Sequence, residues 1–240
     1  MYRRSRSAVA AAITVLALAA CSDDDDIVVS RPLDATSAPG EETAATAATA
    51  EAPEATAECP PAAGASAVTQ QFDTSPPFCL DPDVAYSASV ETTRGKFTIT
   101  LDQAAAPQAV NSFVFLARNN YFDDTICHRV IRDFVVQCGD PTATGTGGPG
   151  YRFADELPAE GSYQLGSIAM ANSGPDTNGS QFFIISGPSG VALPPLYSLF
   201  GQVSDDGLGV VETMNDLGSD DTSGVPTEEI RILDVTITES

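Results

Sequence analysis

The stretch MANSGPDTNGSQFFI, which spans Met170–Ile184, places a polar loop between two apolar segments. Segment GSIAMA leads into the loop and segment SQFFIIS leads out of it, and both are short runs of the kind that form β-strands. The loop itself is built from Asn, Ser, Gly, Pro, Asp and Thr, and most of these residue types favour turns. The sequence therefore predicts a strand, a tight loop and a return strand.

A second strand pair is predicted upstream, in CHRVIRDFVVQCGD, which spans Cys127–Asp140. Two short apolar runs flank the dipeptide Arg132-Asp133, as expected for strands joined by a tight turn. Pairing across that turn would place Cys127 and Cys138 nearly opposite each other. A disulfide bond between them is then geometrically possible.

The remaining chain adds more strands and two helices. Residues 86–101 alternate between apolar and polar positions on either side of Thr93-Arg94-Gly95, which predicts a β-hairpin. Pro107 is placed to begin an amphipathic helix that ends at Asn119-Asn120. The segments YSLFGQV and IRILDVTITES are strand-like, and GLGVVETMNDL predicts the second helix. This pattern predicts a mainly β domain, either a closed barrel or a sandwich.

Four motifs narrow that choice, because HRVIRDFVVQCGD, GTGGPGY, MANSGPDTNGSQFFI and LFGQV occur in the order and spacing found in cyclophilins. From Tyr86 to Thr238 the chain resembles this family of peptidyl-prolyl cis-trans isomerases. The resemblance implies a closed eight-stranded antiparallel barrel capped by two α-helices, with a substrate groove on its outside. It also implies rotation about Xaa-Pro peptide bonds as the reaction, without a metal or other cofactor.

The resemblance carries functional roles onto individual positions. The implied catalytic residues are Arg129, Phe134, Gln137 and Phe183. The implied substrate-binding residues are Val135, Ala171, Asn172, Gln181, Leu193 and Tyr197. Without the motifs, the apolar members of these sets would be interpreted as core and Arg129 as a structural ion-pair partner. The motif context favours the functional interpretation.

Four positions depart from the usual family pattern. Cys127 replaces a phenylalanine, Val135 replaces a common methionine, Tyr197 replaces a frequent histidine, and Ala192 replaces the tryptophan expected before Leu193. None of these changes removes Arg129. Since the missing indole contributes to the cyclosporin site of the family, we expect weak cyclosporin binding.

The N-terminus predicts export and lipid attachment. Residues 1–20 contain three arginines and then an apolar run too short to span a membrane, as in a signal peptide. The sequence Leu-Ala-Ala before Cys21 resembles the bacterial lipobox, in which the cysteine carries diacylglycerol. Ordinary cleavage near Ala20 is the alternative. A lipidated Cys21 predicts an extracytoplasmic protein anchored to a bacterial membrane, in an envelope of one or two membranes.

Composition divides the rest of the chain into a linker, residues 21–77, and an isomerase domain, residues 78–240. The linker is rich in Ala, Thr, Glu, Pro and Asp and is predicted to be disordered. Four cysteines remain after Cys21 and allow three connectivities, of which spacing favours Cys59 with Cys79 and Cys127 with Cys138. A zinc site is the rival interpretation, but CxxC spacing is absent and the single histidine, His128, is interpreted as structural.

Charge limits the partners. The chain has a net charge of −22, and loss of the leader leaves 8 basic against 33 acidic residues, or −25. This sign excludes nucleic acid as a partner class. We expect a monomer that acts on proline-containing unfolded or nascent exported polypeptides. The alternatives are a non-catalytic peptide-binding or chaperone module that uses the same groove, and a purely structural barrel.

Overall fold

A computed structural model describes residues 58–219 and 223–240. The predicted signal peptide, the predicted lipidation site Cys21 and linker residues 21–57 lie outside the described residues. Within the described residues no helix is long and apolar enough to cross a bilayer.

The described chain contains eight strands and three α-helices. The strands are β1 Tyr86–Thr92, β2 Gly95–Leu101, β3 Arg129–Ile131, β4 Val135–Cys138, β5 Ser167–Met170, β6 Phe182–Ile185, β7 Leu199–Val203 and β8 Ile232–Glu239. The helices are α1 Pro107–Arg118, α2 Pro188–Val191 and α3 Leu208–Asp216, with a 3₁₀ turn at Asp205–Gly207 before α3. The mainly β class, the first hairpin and both predicted helices are confirmed. The single turn of α2 was not predicted.

All eight strands join one antiparallel sheet in the order β3-β4-β6-β5-β7-β2-β1-β8. The sheet curls so that the segment before β3 approaches the start of β8, where Cys127 N–H donates to the Ile230 carbonyl at 2.9 Å. Ile232 N–H likewise donates to the Thr125 carbonyl at 2.8 Å. These two hydrogen bonds do not form a continuous ladder between β3 and β8. The closed barrel therefore stays a prediction, and the described sheet is an open, curled half-barrel.

The curled sheet has two apolar faces, because successive side chains of a strand point to opposite sides. On β6, Phe182 and Ile184 belong to the main core, whereas Phe183 and Ile185 belong to a second, smaller cluster. On β4, Val136 faces the main core and Val135 the second cluster. The smaller cluster lies on the face turned away from the main core, and it forms the candidate site described below.

Two helices pack against the sheet. Helix α1 begins at Pro107, whose fixed φ suits a first helical position. Its first free N–H groups, those of Gln108 and Ala109, donate to the Glu156 carboxylate at 2.9 Å each. Residues 109–118 are all buried, and α1 packs on β7 and β8. Helix α3 packs on β2, β3 and β4.

The structure revises part of the predicted linker, because it places residues 58–80, which we call the strap, against the domain. Up to residue 77 this segment was predicted to be disordered, but it lies along the domain and is joined to it through Phe72, whose ring contacts Phe115 at 4.8 Å. The disulfide bond Cys59–Cys79 closes the strap on itself. The Pro- and Ala-rich composition obscured these anchors, and the half-buried Phe72 ring, the disulfide bond and several hydrogen bonds together hold a segment that lacks its own core.

Candidate active site

Four side chains stand in one row across four strands. The register pairs Arg129 of β3 with Gln137 of β4, Gln137 with Phe183 of β6, and Phe183 with Ala169 of β5. Directly opposite residues of antiparallel strands project to the same face of the sheet. The hairpin predicted around Arg132-Asp133 creates this row, because its turn sets the register between β3 and β4.

The second apolar cluster contains two members of this row, Phe183 and Ala169, and we call the surface that it forms the candidate pocket. Its buried members are Val135, Tyr163, Ala169, Phe183 and Ile185, and half-buried Phe134, Ala171, Leu193, Tyr197 and Leu199 pack around them. The rings of Phe183 and Tyr197 meet edge to face with centroids 5.2 Å apart. An apolar pocket with a ring at its base suits a small apolar ring such as that of proline.

Two contacts hold the walls of the pocket. The Tyr163 hydroxyl donates to the Tyr197 carbonyl at 2.7 Å and accepts from the Tyr197 N–H at 3.1 Å. On the opposite side, α2 approaches so closely that a Cβ atom at Gly190 would lie 2.4 Å from the Phe134 carbonyl oxygen. A residue larger than glycine there would therefore displace the Phe134 wall.

Arg129 lies half-buried at the edge of the pocket. Its Cζ atom is 6.0 Å from the centre of the Phe134 ring, and its Nη1 donates to Gln137 Oε1 at 3.4 Å. Among the described residues no carboxylate forms an ion pair with it. This argues against a structural ion-pair role within that part of the chain. The guanidinium instead presents fixed donors beside the pocket.

A polar groove of about 860 Å³ adjoins the candidate pocket at Ala171, which belongs to both. Gln137 and Gln181 border it, and Gln137 Nε2 donates to Gln181 Oε1 at 2.9 Å. Gln181 Nε2 in turn donates to the Gly147 carbonyl at 2.9 Å. Ala171 and Asn172 line the same groove. Amide groups along such a groove match the donors and acceptors of an extended polypeptide.

The two residues after β5, Ala171 and Asn172, form hydrogen bonds with main-chain groups of neighbouring segments. Ala171 N–H donates to the Gln181 carbonyl at 2.9 Å, which extends the pairing of β5 with β6 by one residue. Asn172 Nδ2 donates to the Leu196 carbonyl at 2.9 Å, and its Oδ1 accepts from the Gly174 N–H at 3.3 Å. The Asn172 side chain thus fixes the polar loop that borders the groove.

A buried carboxylate organises the glycine-rich wall of the groove. Asp140 accepts from the N–H and hydroxyl of Thr142 and from the N–H groups of Gly145 and Gly147, at 2.7 to 3.0 Å. Burial by itself would raise the pKa of Asp140, but these hydrogen bonds hold it below its usual range. The ionised carboxylate therefore fixes the segment 142–147.

His128 is adjacent to Arg129 in sequence but does not extend the polar network. Neither ring nitrogen has a hydrogen-bond partner among the described residues, and burial lowers the pKa of His128. In residues 58–219 and 223–240 no cluster of three or more His, Cys, Asp or Glu side chains could hold a metal ion. The structure joins Cys127 to Cys138 beside His128 and Gln137, which is the predicted pairing.

Comparison with known proteins assigns this arrangement to a family. Residues 87–237 match the model of cyclophilin type peptidyl-prolyl cis-trans isomerases. The chain belongs to the cyclophilin family. A curated relative from Mycobacterium leprae, described as a probable peptidyl-prolyl cis-trans isomerase B, is 40% identical over 163 residues, which are 61% of this chain and 55% of the relative.

Other relatives cover the domain more fully. The peptidyl-prolyl cis-trans isomerase-like 1 of Neurospora crassa is 41% identical over 154 residues, 62% of this chain and 93% of that protein. The crystal structure of a Cryptosporidium parvum cyclophilin type isomerase, 34% identical, superimposes with a TM-score of 0.59 over 65% of this chain and 99% of its own. A second structure of it, obtained in the presence of the dipeptide Ala-Pro, gives the same TM-score at 35% identity. The chain spans only about half the length of the first mycobacterial relatives.

The structure brings together all ten residues that the resemblance placed in the site. The four predicted catalytic residues lie in or beside the second apolar cluster, and the six positions predicted to bind substrate lie in that cluster or along the groove. Sequence reasoning missed Tyr163 and Gln71. Tyr163 had no motif around it, and Gln71 lies in a segment whose composition indicated a linker, so neither carried a signal.

Proposed function

We propose that this cyclophilin catalyses cis-trans isomerisation of Xaa-Pro bonds, with Arg129, Phe134, Gln137 and Phe183 as its catalytic residues. The observation that carries the proposal is the row Arg129–Gln137–Phe183, in which the Arg129 guanidinium lies beside the apolar cluster that contains Phe183. The naming of curated relatives as peptidyl-prolyl isomerases supports it.

The chemistry follows from the amide bond. Resonance gives the Xaa-Pro bond a rotation barrier of ~18–20 kcal/mol, and twisting the bond restores a lone pair on the prolyl nitrogen. A donor aimed at that lone pair stabilises the twisted amide more than the planar one, so the barrier falls. Arg129 supplies such a donor, and an acceleration of ~10⁵ requires about 7 kcal/mol of preferential stabilisation.

The pocket keeps one side of the bond still while the other rotates. Phe183 and Val135 hold the prolyl ring from below, and Phe134, Leu193 and Tyr197 surround it. Ala171, Asn172 and Gln181 line the groove in which the flanking main chain would lie. The reaction makes and breaks no covalent bond, so these residues need supply only orientation and electrostatic stabilisation.

The decisive experiment measures cis-trans exchange of a short Xaa-Pro peptide by NMR in the presence of the protein and of its Arg129→Ala variant. We expect strong acceleration by the protein and its near loss in the variant. Peptide binding without acceleration by the unaltered protein would refute catalysis and favour the non-catalytic peptide-binding or chaperone module.

We also propose that the chain is an exported bacterial lipoprotein. Three arginines, an uninterrupted apolar run and Leu-Ala-Ala before Cys21 support cleavage after residue 20 and lipidation of Cys21. The acidic segment 21–57 would then hold a monomeric isomerase domain away from the membrane, where exported proline-containing polypeptides fold. Labelling of cells with a radioactive fatty acid should mark the protein but not its Cys21→Ser variant, and equal labelling of both would refute the anchor.

A further inference from the structure

The groove has a wall that does not come from the sheet or its loops. Gln71 of the strap lines the groove together with Gly148, Arg152 and Asn172. Its side chain is exposed, and Nε2 donates to the Gly148 carbonyl at 2.9 Å. Within the described chain Gln71 makes this one side-chain hydrogen bond, so its Oε1 and its second N–H are open to the groove.

The strap is fixed tightly at this point. Phe72 N–H donates to the Pro149 carbonyl at 2.8 Å, and the Phe72 ring lies 6.4 Å from that of Tyr151 and 4.8 Å from that of Phe115. Gly150 has a φ of +98°, and a Cβ atom there would lie 2.2 Å from the Phe72 carbonyl oxygen. Because glycine has no side chain, the main chain of the strap at Phe72 can pack directly against the main chain of the groove wall at Gly150.

Further contacts secure the strap on both sides of Gln71. Ala65 N–H donates to the Arg118 carbonyl at 2.6 Å, and Thr69 N–H donates to the Asn119 carbonyl at 3.0 Å, both through the main chain. On the C-terminal side, Asn111 Nδ2 donates to the Pro77 carbonyl at 3.0 Å. With the Cys59–Cys79 bond joining its ends, the strap holds Gln71 in place before a ligand arrives.

We propose that the strap contributes to substrate binding as one wall of the peptide groove, and that Gln71 hydrogen-bonds the main chain of the polypeptide beside the prolyl residue. This inference rests on the proposed isomerase function and deepens it. A primary amide offers one acceptor and one remaining donor, the same pair that each peptide unit presents. Gln71 therefore selects an extended flanking segment whatever its side chains, and it favours long polypeptides over short peptides that fill only the proline pocket.

The test compares two substrates that share one Ala-Pro bond, a capped dipeptide and a capped decapeptide with the bond at its centre. The full chain, its Gln71→Ala variant and its Gln70→Ala variant are assayed for kcat/KM on both. Gln70 is the matched control, because it is the adjacent strap glutamine and its amide points to Tyr121 instead of the groove.

We expect Gln71→Ala to lower the ratio of decapeptide to dipeptide kcat/KM about fivefold, the effect of one neutral hydrogen bond, through a higher KM. Gln70→Ala should leave that ratio unchanged. An unchanged ratio in Gln71→Ala, or an equal fall in both variants, would overturn the inference. Failure of the unaltered protein to accelerate either substrate would instead refute the isomerase function, so the two failures are distinguishable.

Discussion

Replacement of Arg129 by alanine tests the core of the mechanism. In the structure Gln137 turns its Oε1 toward Arg129 and commits its Nε2 to Gln181. Loss of the guanidinium therefore leaves an acceptor, and not a substitute donor, beside the proposed position of the prolyl nitrogen. Removal of one preorganised donor to a transition state lowers rates by ~10²–10³. We expect kcat/KM to fall about 100-fold, which corresponds to about 2.7 kcal/mol.

The assay is cis-trans exchange of an Ala-Pro peptide measured by NMR at several enzyme concentrations. Arg129→Lys keeps the charge but loses the planar fork of donors, so its kcat/KM should lie between that of the alanine variant and that of the unaltered protein. Lys96→Ala, which removes one exposed positive charge from β2, is the control and should keep full activity. A folded Arg129→Ala protein with kcat/KM within about threefold of the original would refute the reasoning, since a transition-state donor is worth more than that.

Four further predictions follow from the site and its surroundings. Phe183→Leu should raise KM about fivefold, since a ring contact is worth about 1 kcal/mol, and an unchanged KM would contradict a role at the base of the pocket. The double variant Cys59→Ser/Cys79→Ser should lower the free energy of unfolding in urea by about 2–4 kcal/mol; an identical urea midpoint would show that the strap bond adds nothing. Hydrogen bonds lower the pKa of Asp140 in the folded protein. The ionised carboxylate therefore stabilises the fold, and this stabilisation is complete above the pKa of about 4 that a carboxyl group has in the unfolded chain. It is lost as the pH falls through the lower pKa of Asp140 in the folded protein. The melting temperature should therefore fall more steeply below pH ~4 in the unaltered protein than in Asp140→Asn, and parallel curves would contradict this. Since burial lowers the pKa of His128, its ring is neutral near pH 7. We therefore expect kcat/KM to be independent of pH from pH ~6.5 to ~8.5, both in the unaltered protein and in His128→Gln. A pH dependence that is present in the unaltered protein and lost in the variant would instead show acid-base catalysis by His128.

Local patterns predicted most of the secondary structure of the domain. The alternation around Thr93-Arg94-Gly95 gave the β1–β2 hairpin, and Pro107 marked the first residue of α1. The short helix α2 was missed, because PSGV carries no apolar periodicity over a single turn. The strap was missed for a different reason. Its anchors, among them Phe72 and Cys59, lie among prolines, alanines and a few polar residues, so no window of sequence shows an amphipathic pattern.

The sequence by itself determined the mainly β class, the tight hairpin that carries Arg129 and Gln137, and, through motif resemblance, the family; the ten site positions are predictions from the same resemblance. These depend on periodicity and residue identity, which are local properties of the chain. Only the tertiary structure decided that Tyr163 holds the pocket wall, that Asp140 fixes the glycine-rich segment, and that Gln71 reaches the groove. The contacts of Tyr163 and Gln71 join residues more than thirty positions apart. The contacts of Asp140 depend on how the polar loop 142–147 folds around its carboxylate. Such contacts arise from the curl of the sheet and the close approach of main chains, which no local pattern encodes.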